Sequence, residues 1–230
     1  MKGLVVMVGA MGTGKTMLGR KLLDRLQTSE YDATLLVIVH TAISAEWLLK
    51  KIALQLGVAE PADTKSLILT QLYKRLMEIY EEGKKAVVIV DEANMLQTQE
   101  IFEEFRGLLN LEVPGRKLIC IVLLGLPDLE KYLALDPPLM QRIAIKFTLK
   151  EFGLDATRNY INHRLAVAGC TKEIFNPLAI ENIFKYTKGT PRLINTIADN
   201  CLLEAYLLKQ QIITPELVER VADDLRLKKD

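Results

Sequence analysis

The run Gly9-Ala10-Met11-Gly12-Thr13-Gly14-Lys15-Thr16 sets three glycines, a lysine and a hydroxyl at the spacing of a phosphate-binding loop. Glycines let successive backbone N–H groups turn toward a polyphosphate, and a helix starting near Lys15 points the positive end of its dipole at the same anion. Lys15 adds a mobile positive charge, and the Thr16 hydroxyl suits Mg²⁺. The plain alternative is a glycine-rich turn before a helix. Eight matching positions between a strand pattern and a helix pattern favour the loop.

A second constellation is Val87-Val88-Ile89-Val90-Asp91-Glu92, an apolar strand ending in adjacent carboxylates. In a fold built on a phosphate loop this strand runs beside the first, so Asp91 can accept a water from the Mg²⁺ shell. Glu92 can then orient and deprotonate an attacking water, which requires an acceptor within hydrogen-bond reach. A buried strand that merely ends in solvated acids is the competing reading, and the phosphate loop weighs against it. The candidate ligand set is Gly9, Met11, Gly12, Thr13, Gly14, Lys15, Thr16, Met17 and Asp91 for ATP, with Thr16 and Asp91 toward Mg²⁺.

These residues need a scaffold. Short β-rich runs predict strands near 4–8, 34–39, 86–91, 118–124 and 144–148, with helices at 15–27, 44–56, 64–82, 97–110 and 127–134. The third helix carries Leu67, Leu69, Leu72, Leu76, Ile79 and Tyr80 at mixed three- and four-residue steps. Such alternation predicts a doubly wound parallel sheet with helices on both faces. After about residue 152 strand signals stop, and helices are expected near 155–168, 177–187, 191–208 and 214–226. Thr190-Pro191 and Thr214-Pro215 mark two of those starts. A core at 1–152 and an all-helical part at 153–230 are therefore expected to pack together and share a cleft.

Composition narrows the partners. Lys plus Arg number 30 against 29 Asp plus Glu, so no global field calls for nucleic acid or an anionic membrane. No apolar run approaches the roughly 20 residues needed to span a bilayer, and Met1-Lys2-Gly3 leads straight into the first strand without a secretory signal. Cys120, Cys170 and Cys201 stand far apart without metal-ligand spacing and read as reduced thiols, so the chain is expected in the cytoplasm. His40, at the end of the second strand, and His163 lack ligand-spaced partners, and Trp47 with Leu48, Leu49 and Ile52 reads as core or subunit contact. The run from Leu225 to Asp230 reads as a solvated, frayed tail.

The loop Gly9–Thr16 and the pair Asp91-Glu92 resemble the AAA+ superfamily of ATPases. Val90-Asp91-Glu92-Ala93-Asn94, Leu123-Leu124-Gly125-Leu126-Pro127-Asp128-Leu129, Gln141-Arg142-Ile143 and Gly189-Thr190-Pro191-Arg192-Leu193-Ile194-Asn195 are similar to the ExeA/GspA-like ATPases of general secretion systems. Transposition regulators of the TniB type share the same core. The resemblance implies a three-layer αβα parallel-sheet core with a small C-terminal helical lid, and Mg-ATP hydrolysis in a homo-oligomer. It implies three catalytic residues: Glu92, Arg142, after the proline-rich turn Pro137-Pro138, as an arginine finger reaching a neighbouring subunit, and Arg192 as a second sensor on the γ-phosphate. The implied partner is a secretion or envelope machine.

Two departures stand out. Leu126 occupies the place where the family carries a polar first sensor, which leaves Asn94 and Asn110 as candidates for that contact. The chain also opens at the first strand, where the family carries an upstream segment that helps enclose the adenine. A DNA-loading assembly factor is the second reading, against which the charge balance counts weakly. A small-molecule kinase is the third, and the adjacent Asp91-Glu92 pair argues against it.

Overall fold

The computed structural model describes residues 3–170 and 172–227. Two compact units divide the chain, one comprising Met1–Ala10 and Lys15–Leu149, the other Met11–Gly14 and Lys150–Asp230.

The first unit is built on a five-stranded parallel sheet of β1 (Leu4–Gly9), β2 (Tyr31–Val37), β3 (Lys85–Asp91), β6 (Ile119–Gly125) and β7 (Ile143–Leu149). Its order is β2-β3-β6-β1-β7. The central strands are apolar along their whole length because both faces are covered, and Val87 to Val90 are all buried. One face packs against α2 (Ala45–Gln55), α3 (Lys65–Glu81), α4 (Gln99–Leu108), α5 (Leu129–Leu133) and α6 (Pro137–Met140), a core that includes Leu48, Leu72, Phe102 and Phe105. Among the described elements α1 (Lys15–Arg25) alone covers the other face, over Ile89, Val122 and Leu124. Beside it a groove of about 520 Å³ remains, floored by Val5, Met7, Val87, Cys120 and Val122.

Several expectations need correction. β2 begins at Tyr31 and ends at Val37, because its ladder follows β3 from Tyr31–Lys85 to Val37–Asp91, so His40 lies beyond the strand. On α3 the inward residues are Ile68, Leu72, Leu76 and Ile79, whereas Leu67 is 55% exposed. The residues around Pro137-Pro138 form α6, whose first turn is capped by Asp136 Oδ1 accepting from the Leu139 N–H at 3.0 Å. A hairpin of β4 (Glu112–Val113) and β5 (Arg116–Lys117) turns through Pro114-Gly115, with Gly115 at φ 76°.

The second unit contains α7 (Leu154–Val167), α8 (Pro177–Thr187), α9 (Pro191–Leu207) and α10 (Pro215–Asp224) around Ile183, Ile194, Ile197, Cys201 and Val218. Proline opens α8, α9 and α10, where its missing N–H costs nothing. A single parallel bridge joins Phe175 to Ile213. Leu225 and Leu227 pack against this core, so the run after α10 is no free tail that far, and Lys228–Asp230 lie outside the described residues. No described helix is long and apolar enough to cross a membrane.

Candidate functional site

In parallel α/β sheets ligands bind beyond the carboxyl ends of the strands. Here those ends bring together the loop after β1 and the carboxylates that end β3. Gly9 closes β1 and Lys15 opens α1, and between them Gly12 and Gly14 adopt φ 81° and 101°, a left-handed backbone that side chains resist. Lys15 is 6% exposed and its ammonium donates to the carbonyls of Gly9 and Ala10, each at 2.9 Å. Burial pulls its pKa below the usual lysine value, while the nearby charges of Glu92 and then Asp91 pull it back up. Those three side chains therefore share one electrostatic neighbourhood. Thr13 is buried and Thr16 half-buried, whereas Met11 and Met17 are exposed.

Asp91 is buried, and its Oδ1 accepts the backbone N–H of Glu92 at 2.9 Å. Its Oδ2 is buried with no hydrogen-bond partner among the described residues. A carboxylate oxygen orphaned in this way fits a role as acceptor for a cation or its water. Glu92 leaves the strand in a left-handed conformation, φ 56° and ψ 35°, and a 3-10 turn over Ala93–Met95 follows. Asn94 in that turn is buried, and its Oδ1 accepts the N–H of Leu126 at 2.9 Å, just past the end of β6.

The tip of the loop, Met11–Gly14, belongs with the helical unit. There the Arg192 N–H donates to the Gly12 carbonyl at 3.2 Å, and a Cβ on Gly12 would stand 2.9 Å from the Arg192 Cβ. Arg192 is the second residue of α9, and its side chain is exposed.

Arg142 lies elsewhere. It directly precedes Ile143, which pairs with Leu4 at the amino end of β1, and its guanidinium donates to Asn110 Oδ1. Its N–H bonds the Leu139 carbonyl at 2.9 Å, and α6 is itself tied down by Asp136, whose Oδ2 is 3.1 Å from Arg106 Nε in an ion pair too poorly aligned for a hydrogen bond. Five residue steps of about 3.3 Å separate Leu4 from Gly9, so Arg142 and the loop stand at opposite ends of the sheet, roughly 16 Å apart along the strand. Asn110 is held at that far end too. Of the residues expected at the site, the strand ends thus collect Gly9, Lys15, Thr16, Asp91 and Glu92 and leave Arg142 out.

Residues 1–133 match the family described as AAA domain. General secretion pathway protein A of Aeromonas hydrophila is 34% identical over 207 residues, which are 89% of this chain and 37% of that protein. The chain thus spans little more than a third of that relative's length. Among solved structures, Cdc6p from Pyrobaculum aerophilum superposes with a TM-score of 0.73 at 21% identity, over 96% of this chain and 60% of that one. The Aeropyrum pernix ORC2 protein, in ADPNP-ADP complexes, gives 0.71 at 16%, over 97% and 62%. The RuvB Holliday junction branch migration motor of Thermotoga maritima gives 0.65 at 18%, over 98% and 62%. At these identities the likeness shows the AAA+ ATPase fold.

Proposed function

Because the chain belongs to the AAA-domain family, we propose that it binds Mg-ATP on the loop Gly9–Thr16 and hydrolyses it with Glu92 as the water-orienting base. The observation that carries this reading is the neighbourhood of Lys15, Asp91 and Glu92, with the Asp91 Oδ2 buried and unpartnered among the described residues. In this role the backbone N–H groups of Gly12, Thr13 and Gly14 line the phosphates. Lys15 leaves the Gly9 and Ala10 carbonyls for the β- and γ-phosphate oxygens. The Thr16 hydroxyl and Asp91 would hold Mg²⁺, which when bound would supply positive charge against the phosphates. Glu92 accepts the proton of the attacking water. Met11 and Met17, exposed beside the loop, flank the nucleotide.

The remaining roles belong to the same proposal. Arg142 acts on the γ-phosphate of a second protomer in a homo-oligomer, a reading supported by its distance from the loop of its own sheet. Arg192 contacts the γ-phosphate from α9, supported by its backbone bond to Gly12. The core ends near residue 152 and the helical lid follows. The kinship with general secretion pathway protein A supports a cytoplasmic ATPase that drives assembly of a secretion or envelope machine.

Phosphate release from ATP tests the reading. Lys15→Ala should lose ATP affinity, and Glu92→Gln should keep it while turnover falls about a hundredfold or more. Full turnover in Glu92→Gln overturns the assignment. Salt-sensitive stimulation by duplex DNA would instead favour a DNA-loading factor.

A further inference from the structure

We infer that Asn110 is a positioning residue, which aims the Arg142 guanidinium at a neighbouring protomer, a role that rests on the reading of Arg142 as an arginine supplied in trans.

An arginine that serves another chain must be held in one direction, because its long side chain otherwise spreads over many rotamers. The backbone of Arg142 is fixed on both sides, by its own N–H on the Leu139 carbonyl at 2.9 Å and by Ile143, which enters β7 opposite Leu4. Among the described residues its half-buried side chain makes one hydrogen bond, from the guanidinium to Asn110 Oδ1. A hydrogen bond from Lys117 and then the Lys117 charge hold the Glu112 carboxyl below its usual range, and the Arg142 charge adds to this without an ion pair of its own among the described residues. Asn110 therefore sets where the head points. A hollow of about 200 Å³ between Gly3, Leu109, Lys117 and Arg142 gives a released head room to turn elsewhere. The guanidinium carries five N–H donors, so one bond to Asn110 leaves others for a phosphate.

The perch is itself fixed. Asn110 lies two residues past α4, beside the buried Leu108 and Leu109, and its N–H donates to the Gly107 carbonyl at 3.0 Å. On its other side the Leu111 carbonyl accepts the Leu118 N–H at 3.1 Å. One turn earlier on α4, Arg106 pairs with the buried Asp136 that caps α6. Thus α4 holds α6 at its first turn and meets it again at Arg142, two residues past its end.

Three variants of this chain, compared by phosphate release, separate aiming from folding. Glu92→Gln keeps the arginine and lacks a working site, Arg142→Ala keeps the site and lacks the arginine, and Asn110→Ala keeps both with the arginine unaimed. Alone, Asn110→Ala should show kcat about 10- to 100-fold below the parent and KM for ATP within about twofold, since the loop is untouched. Mixed with Glu92→Gln, its sites receive aimed arginines, and kcat per Asn110→Ala chain should rise about fivefold or more; mixed with Arg142→Ala it should rise less than about twofold. A folding defect would travel with the site of Asn110→Ala and give no such asymmetry. Parental turnover in Asn110→Ala, or equal recovery in the two mixtures, overturns the inference on Asn110. Asn110→Ser, too short to reach the guanidinium, replaces Asn110→Ala if that variant fails to fold. The mixture of Glu92→Gln with Arg142→Ala is the reference: if it stays inactive, the reading of Arg142 as acting in trans falls.

Discussion

Asp91 accepts the backbone N–H of Glu92 on Oδ1 at 2.9 Å, and the residue held by that bond sits at φ 56°, ψ 35°. A left-handed conformation costs a residue with a Cβ about 1–2 kcal/mol. At Glu92 that strain turns the chain from the strand into the 3-10 turn that carries Asn94.

Glu92→Gly should therefore relieve strain. Its unfolding free energy is expected to equal that of the parent or exceed it by about 1 kcal/mol, while phosphate release is lost. Urea denaturation gives the first quantity. A loss of more than about 1 kcal/mol would show that the Glu92 side chain contributes more to packing than its conformation costs.

What could be read from the sequence was what is contiguous along it. The loop Gly9–Thr16 and the run Val87–Glu92 carry their chemistry in adjacent residues, and the apolar strands stand out because both their faces are buried. Leu67 and Ile68 are both apolar, and only the angle at which α3 meets the sheet decides that Ile68 points inward. The pair Pro137-Pro138 reads as a turn until Asp136 caps it into α6. The Pro114-Gly115 pair was a usable hairpin signal, although strands of two residues leave no periodicity to detect. The place of Asn94 depends on Gly125, 31 positions away, and no spacing rule links two residues across neighbouring strands.

Gly189 makes a second backbone demand. It sits at φ 76°, its carbonyl accepts the Phe152 N–H at 2.9 Å, and a Cβ there would stand 1.8 Å from the Phe152 carbonyl oxygen. Gly189→Ala is expected to destabilise the helical unit by about 3 kcal/mol or more, since backbone must move. Gly115→Ala is the control, with the same φ and nothing within 4 Å, and should cost only about 1–2 kcal/mol. Equal losses in the two variants would refute the steric account.

Cys201 gives a pH signature. The thiol is fully buried on α9, and desolvation pushes its pKa up to about 12 from an ordinary value of 9.0. The folded state therefore keeps a proton that the unfolded chain releases, so stability present below about pH 9 is lost as pH rises toward 12, by at most about 1.4 kcal/mol per pH unit. Cys201→Ala should flatten that decline in denaturation curves collected across pH 9 to 12. A decline of the same steepness in the variant would assign it to other groups.

Arg142 decides whether hydrolysis needs a second protomer. Its place at the amino end of β7, roughly 16 Å along the sheet from the loop after β1, excludes contact with phosphates bound by its own chain unless the sheet itself is rearranged. Its guanidinium donates to Asn110, and its charge also reaches the Glu112 carboxylate, helping to hold that group's pKa down. If Arg142 serves a neighbouring site, turnover per protomer should rise with protein concentration. Arg142→Ala should bind ATP nearly as the parent does, because the loop is untouched, and lose turnover about a thousandfold, the scale of an arginine supplied in trans. Mixing the variant with Lys15→Ala then pairs an intact loop on one chain with an intact arginine on the other, and activity should return in proportion to the mixed interfaces formed. Light scattering establishes that mixed oligomers exist. If they form and no activity returns, Arg142 is a structural residue that fastens the start of β7 to the end of α4, and each protomer hydrolyses ATP with its own residues alone.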